Sequence, residues 1–272
     1  DLARWLSKLS HSDTSEPANW RGLFFWDTVA VNSQQPHLPP AGHRPLPILA
    51  ALLPLILFLE AMLLLGGTRL TAARVLAHEQ IGEAMHFFSL SPVFILHATG
   101  LVVLAVLLSW HVLTGERWRI QPLEPAMLLL EGCIAAAPLL AAAAFFGTMW
   151  DTALGPQPAI TPTSTLDAIA VAIGAGLSEE LLFRMAGVAA VLWLLVDVLR
   201  VKQTTGLIVA VLVTAAAFTL YHDPAEMSPG AVAFVAAAGL YLGGLYVMRG
   251  FAVAVVAHAG YDAVVLVAAA TS

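Results

Sequence analysis

Charge is what this chain has least of. Of its 272 residues, 11% are Asp, Glu, Lys or Arg, against about a quarter in an ordinary soluble domain. With 59% of residues hydrophobic and a mean hydropathy of +0.83, too little charge remains to cover a water-facing surface. A soluble enzyme and a disordered chain are both excluded. Net charge is −6 with no basic patch, so nucleic acid is not an expected partner. Cysteine is nearly absent. Cys133 stands alone inside an apolar run, so neither an internal disulfide nor a cysteine-based metal site can form. Segments of alternating polarity, about ten residues each, would mark a membrane β-barrel. They are missing, and the apolar runs are continuous, as in 93–113 and 229–248. Residues 1–45 are polar and broken by Pro36, Pro39, Pro40 and Pro45, unlike a signal peptide. The chain begins at Asp1 rather than Met, as trimming of the N-terminus would leave it.

What is present reads as an all-α, polytopic helical membrane protein. A span needs about 20 apolar residues, and seven candidates meet or approach that length: 46–67, 93–114, 126–147, 166–197, 207–222, 229–248 and 251–270. The fourth is too long for a simple span, so it is expected to project from the membrane or to bend near Gly174 and Gly176. The fifth is short and ends at His222-Asp223-Pro224, where proline limits helix continuation. The link from Met248 to Phe251 is so short that the sixth and seventh helices must be neighbours. Nine of the twelve basic residues (Arg4, Lys8, Arg21, Arg44, Arg117, Arg119, Arg200, Lys202 and Arg249) fall on one side. Arg69 and Arg74 fall on the other, and Arg184 lies within a span. The asymmetry predicts a cytoplasmic N-terminus. Residues 1–45 form a polar cytoplasmic tail in this reading, with an amphipathic patch from Trp20 to Trp26 suited to a membrane surface. Residues 46–165 hold the N-terminal transmembrane helices, and 166–272 hold the rest. Few basic residues and short loops fit a bacterial inner membrane.

Ionisable groups inside spans are costly and ask for a reason. The fourth span carries Ser178-Glu179-Glu180-Leu181-Leu182-Phe183-Arg184. Positions i and i+4 share a helix face, so Glu180 and Arg184 can pair. Glu179 points about 100° away and is left to face a polar cavity. There a desolvated carboxylate, beside a second acid, becomes a usable general base. Phe218-Thr219-Leu220-Tyr221-His222 ends the fifth span, and His258-Ala259-Gly260-Tyr261-Asp262 lies in the seventh. His258 and Asp262 leave one helix face together, among small residues that permit close helix approach. Each group alone has a structural explanation: an ion pair, a helix-end histidine, an interhelical hydrogen bond. Together they are expected to converge on one wet pocket, because none can face lipid. The residue types suit hydrolysis, with a carboxylate to take a proton from water and imidazoles to position it or hold an oxyanion. A His/His/carboxylate set also suits zinc. His-Glu-x-x-His and Gly-x-Ser-x-Gly are both absent.

In order and spacing, Glu179-Glu180-x-x-x-Arg184, Phe218-x-x-x-His222 and His258-x-x-x-Asp262 resemble the motifs of the CPBP (Abi) family. That family comprises CAAX-processing and bacteriocin-processing intramembrane endopeptidases. The resemblance covers about residues 166–265 and includes Phe234, Gly239, Gly243 and Met248-Arg249-Gly250. It implies a catalytic helical core over 166–272 that hydrolyses peptide bonds of a membrane-associated protein or peptide. Glu179 and Glu180 would be its catalytic pair, with Glu179 acting on the attacking water. His222 would help to hold that water, and His258 with Asp262 would stabilise the oxyanion. This mechanism requires no cofactor, and zinc held by His222 and His258 is the alternative. The family allows Asn or Asp at the last position. A protonated Asp262 would donate to an oxyanion, whereas an ionised one would instead fix the tautomer of His258 by accepting its ring N–H.

Other buried candidates are Glu60, His97, His111 and Glu131, read as interhelical hydrogen bonding or as a proton path. Besides the endopeptidase, two readings stay open. One is a non-catalytic scaffold, or an immunity or maturation factor, on the same fold. The other is a proton-coupled transporter using Glu60, Glu131 and Glu179, which inverted symmetry between halves would favour.

Overall fold

The computed structural model describes residues 41–66, 92–149 and 164–271. The polar tail as far as residue 40, with its Trp20–Trp26 patch, and Arg69 and Arg74 lie outside the described residues. Seven helices are long and apolar enough to cross a membrane, and no strand occurs among the described residues. A short 3-10 turn, Ala41–His43, leads into α1 (Pro45–Gly66). It is followed by α2 (Pro92–Thr114), α3 (Leu123–Met149), α4 (Thr165–Val198), α5 (Gln203–Tyr221), α6 (Pro229–Arg249) and α7 (Phe251–Thr271). In hydrocarbon every backbone N–H and C=O must be satisfied within the segment, which leaves helix as the solution for these runs. Pro54 in α1 and Pro138 in α3 are absorbed inside their helices.

The seven spans read from the sequence are all present, with two changes. The fifth is longer than expected, because α5 begins at Gln203 and runs for 19 residues. Polar Gln203, Thr204 and Thr205 hide its first turn from a hydropathy reading, although a helix end tolerates such residues well. The fourth does not bend at Gly174 or Gly176, which both lie inside the regular stretch Thr165–Glu180. Its irregularity comes later, as wider π-type turns over Leu181–Val188 and Trp193–Val198. Gly176 serves contact instead. A Cβ there would lie 2.9 Å from the Cβ of Ala259 and 3.0 Å from its backbone N, so α4 and α7 touch through small residues.

α7 is the central helix. Every residue from Phe251 to Ala259 is buried, and α7 packs most extensively on α4 and α3. Of its apolar window 61% is buried, against 17–44% for the other six helices, so its charged and imidazole groups have protein, not lipid, for neighbours.

Helix ends follow their sequence signals. Ser164 Oγ accepts from Asp167 N and donates to its carboxylate at 2.7 Å, starting α4 as a capping pair. Ser228 caps α6, with Pro229 at its first position. Gly250 alone separates α6 from α7, at φ +92 and ψ 177, and its N–H donates to the carbonyl of Tyr246 at 2.9 Å. The Gly42 backbone packs directly on it. Arg44, one residue ahead of α1, reaches Glu116 at 3.4 Å and Glu124 at 2.9 Å. The start of α1 is thereby fastened to the α6–α7 turn and to the α2–α3 connection. Gly250→Ala is expected to cost about 1–3 kcal/mol, since only glycine suits that backbone and a methyl group would displace residue 42. A melting curve of the purified variant measures it.

Candidate active site

Glu179, Glu180 and Arg184 sit where α4 passes from regular turns into wider ones, a kind of irregularity frequent at functional sites. Glu180 and Arg184 pair across one turn, Nε to Oε2, at 3.2 Å, with side chains 0% and 1% exposed. The other oxygen of Glu180 meets His258 Nδ1 at 2.8 Å. Arg184 also donates to the Gly239 carbonyl of α6 at 3.2 Å. Its guanidinium carbon lies 4.5 Å from the centre of the Phe218 ring, close enough for a cation–π contact. Groups from three helices, α4, α5 and α6, thus compensate one buried guanidinium.

Glu179 points elsewhere, as its 100° offset requires. Its Oε2 lies 3.8 Å from Nε2 of His222 and 3.8 Å from Nε2 of His258. That oxygen is buried and has no hydrogen-bond partner among the described residues. His222 caps α5 and turns its ring back, so that Nδ1 meets the Phe218 carbonyl at 2.8 Å. That carbonyl belongs to the last turn, which lacks helical partners, so the ring is fixed with Nε2 aimed at Glu179. Asp223 follows at φ +52 and, with Pro224, ends the helix. In α7, Asp262 Oδ2 lies 3.5 Å from His258 Nε2.

By rise per residue alone, His222 and His258 fall at different depths if every helix runs upright between the membrane faces. The α4–α5 hairpin resolves this. A Cβ at Gly187 would lie 3.1 Å from Thr214, and one at Gly206 would lie 2.7 Å from Val196. Carried to the end of α5, this antiparallel register brings residue 222 opposite residue 179. The Gly176–Ala259 contact sets α7 at the same level. α4 is 34 residues long, about 50 Å at helical rise. It is therefore the ruler that sets where α5 stops.

All six residues singled out from the sequence (Glu179, Glu180, Arg184, His222, His258 and Asp262) converge. Of the two ring nitrogens of His258, Nδ1 faces Glu180 and Nε2 faces Asp262. The wall formed by Phe218 escaped the sequence reading. Its ring stands 4.5 Å from that of His222 and 5.9 Å from that of His258, and Phe183 meets it edge-on at 5.3 Å. The four-residue step from Phe218 to His222 was the available signal. The Gly239 carbonyl had none, since a backbone acceptor leaves no mark on residue type.

The other ionisable candidates stand in separate pairs. Glu60 is bonded to His97 between α1 and α2, and Glu131 to Arg249 between α3 and α6. His111 is buried against the edge of Trp118, ring centres 4.3 Å apart. Cys133 is exposed on α3. Zinc would draw on Nε2 of His222 and His258 and on Glu179. Among the described residues, no group of three His, Cys, Asp or Glu side chains is arranged to hold a metal ion.

Residues 161–264 match a family model described as Rce1-like, type II CAAX prenyl endopeptidase Rce1-like. The matched segment contains every residue of the cluster, and it agrees with the family resemblance carried by the three motifs. No curated protein and no solved structure matches the chain.

Proposed function

We propose that this integral membrane protein, whose residues 161–264 match a protease family of the type II CAAX endopeptidase kind, hydrolyses peptide bonds of a membrane-associated protein or peptide with a water activated by Glu179 and without a metal. One observation carries the reading. A buried carboxylate oxygen without a hydrogen-bond partner among the described residues lies 3.8 Å from each of two imidazole nitrogens, a separation that suits a bridging water.

Each group then has a task. The neutral His222 ring donates Nδ1–H to Phe218, so its Nε2 lone pair accepts one hydrogen of the water. Glu179 accepts the other, which turns an oxygen lone pair toward the substrate carbonyl carbon. Glu179 takes the proton as the new C–O bond forms, and the carbonyl π pair moves to oxygen. A doubly protonated His258 donates Nδ1–H to Glu180 and Nε2–H to that oxyanion, with Asp262 balancing the charge. Collapse expels the amine, which receives the proton from Glu179, leaving a carboxylic acid and a free amino terminus. General-base assistance contributes about 10²–10⁴ in rate, and one oxyanion donor about 10²–10³. Arg184 pairs with Glu180 at 3.2 Å and holds it in place, so it is a positioning residue.

The test is cleavage of a quenched fluorescent peptide by the purified protein in bilayers. Hydrolysis by the wild type, unaffected by a zinc chelator, is the expected result. A protein that cleaves nothing returns the chain to the non-catalytic scaffold reading. Activity lost to the chelator and restored by zinc overturns the metal-free mechanism.

A further inference from the structure

The reaction as drawn gives the oxyanion one donor, His258 of α7. A tetrahedral oxyanion has room for more than one, and several donors converging on it is the common arrangement where acyl transfer is catalysed. A second donor stands on α5. Tyr221 is the last residue of that helix and directly precedes His222. The residue is half-buried, and its hydroxyl oxygen is the enclosed part.

Two ring contacts place the phenol on the Glu179 side of the cluster. Glu179 and Phe183 stand four residues apart on α4, so they share a helix face. The Tyr221 ring meets Phe183 edge-on, centres 5.2 Å apart, and lies 5.5 Å from the ring of His222. Nε2 of His222 is in turn 3.8 Å from Glu179 Oε2. The enclosed hydroxyl stands in the field of the Glu179 carboxylate, which acts on it electrostatically.

The water-activating steps leave this hydroxyl without a task. Phenylalanine would pack against Phe183 as well, and would bring no polar atom into a low-dielectric interior, where burying one costs free energy. A phenol has one property that fits the place. With an ordinary pKa of about 10, it is uncharged at neutral pH. It offers an O–H beside a carboxylate without adding another cation to a site that already holds Arg184 and, in the proposed reaction, a protonated His258. The imidazole of His222 cannot serve instead, because its Nδ1 proton goes to the Phe218 carbonyl and its Nε2 accepts from the water.

We propose that the Tyr221 hydroxyl is the second oxyanion donor, and so a catalytic residue of the hydrolysis. It donates its O–H to the substrate carbonyl oxygen from α5 as the bond from water to carbon forms, while His258 donates from α7. The phenol keeps its proton throughout, so the proton passed from water to Glu179 and on to the amine is unaffected. The inference rests on the hydrolytic reading above and adds a residue to it.

The test uses the full chain in bilayers with the quenched peptide. Tyr221→Phe keeps the ring against Phe183 and removes only the oxygen. It is expected to lower kcat by about 10² with little change in KM, because the hydrogen bond strengthens only as charge develops on the substrate. A peptide difluoroketone, bound as its tetrahedral hydrate, should lose about tenfold or more in affinity for the variant. The intact peptide should bind Glu179→Gln equally well with and without Tyr221→Phe. Tyr241→Phe is the control. Its hydroxyl donates to the Ala135 carbonyl at 2.9 Å, between α6 and α3, so turnover should stay near that of the wild type and only the melting temperature should fall. A loss confined to KM, or equal weakening of the ketone and the intact peptide, overturns the proposal and leaves Tyr221 a packing residue. A wild type that cleaves nothing sinks the hydrolytic reading and the phenol's role with it, whereas wild-type cleavage that Tyr221→Phe does not diminish sinks the phenol's role alone.

Discussion

Glu179→Gln is expected to lower kcat/KM for peptide cleavage by about 10² or more while leaving the fold intact. The amide keeps the shape of the side chain and can still face both imidazoles, but it cannot accept a proton from water. The melting temperature should hold or rise, because a carboxylate buried without a guanidinium of its own is a liability to stability. Glu60→Gln is the control. Glu60 also lies within a span, yet it is bonded to His97 between α1 and α2, so its loss should leave turnover close to that of the wild type. If both variants lose activity alike, or neither does, Glu179 is not the base. His222→Ala and His258→Ala should each lower kcat as well, the first through water positioning and the second through the oxyanion.

Arg184→Met is expected to destabilise the protein by about 3–5 kcal/mol. The methionine fills similar space, but Glu180 is then left fully buried with only His258 as its partner. The pair at 3.2 Å, with both side chains almost wholly enclosed, is worth little against a well-packed apolar core. Half of it is far worse than none. Combining Arg184→Met with Glu180→Gln should therefore recover most of the lost stability, a non-additivity that a double-mutant cycle reads directly. Equal and additive losses would mean that the two side chains do not depend on one another. Activity of the double variant should stay low, because His258 has lost the carboxylate on its Nδ1.

Much of this was open to a reading of residues. Seven helices followed from apolar run length, since hydrocarbon leaves the backbone no other arrangement. The Glu180–Arg184 pair followed from a four-residue step, and the convergence of three spans from the cost of burying their ionisable groups. What escaped depends on neighbours. The start of α5 was hidden by Gln203, Thr204 and Thr205, whose polarity says nothing about a helix end. Gly176 looked like a hinge, but a glycine that bends a helix and one that lets another helix touch it are indistinguishable in sequence. The level at which His222 meets Glu179 is set by the α4–α5 register, a relation between two elements that neither carries alone. The partner of His258 Nδ1 was likewise unreadable, because two acids were within reach of the same ring.

The enclosed position of α7 has a consequence for how the protein comes into being. α7 follows the other six described helices in the chain, and it brings both His258 and Asp262. A ribosome that has not passed residue 262 holds a chain with two glutamates, one arginine and one histidine of the cluster, and nothing of α7 to offer an oxyanion. On the proposed mechanism, the nascent polypeptide is therefore latent until the last of these helices packs among those that precede it.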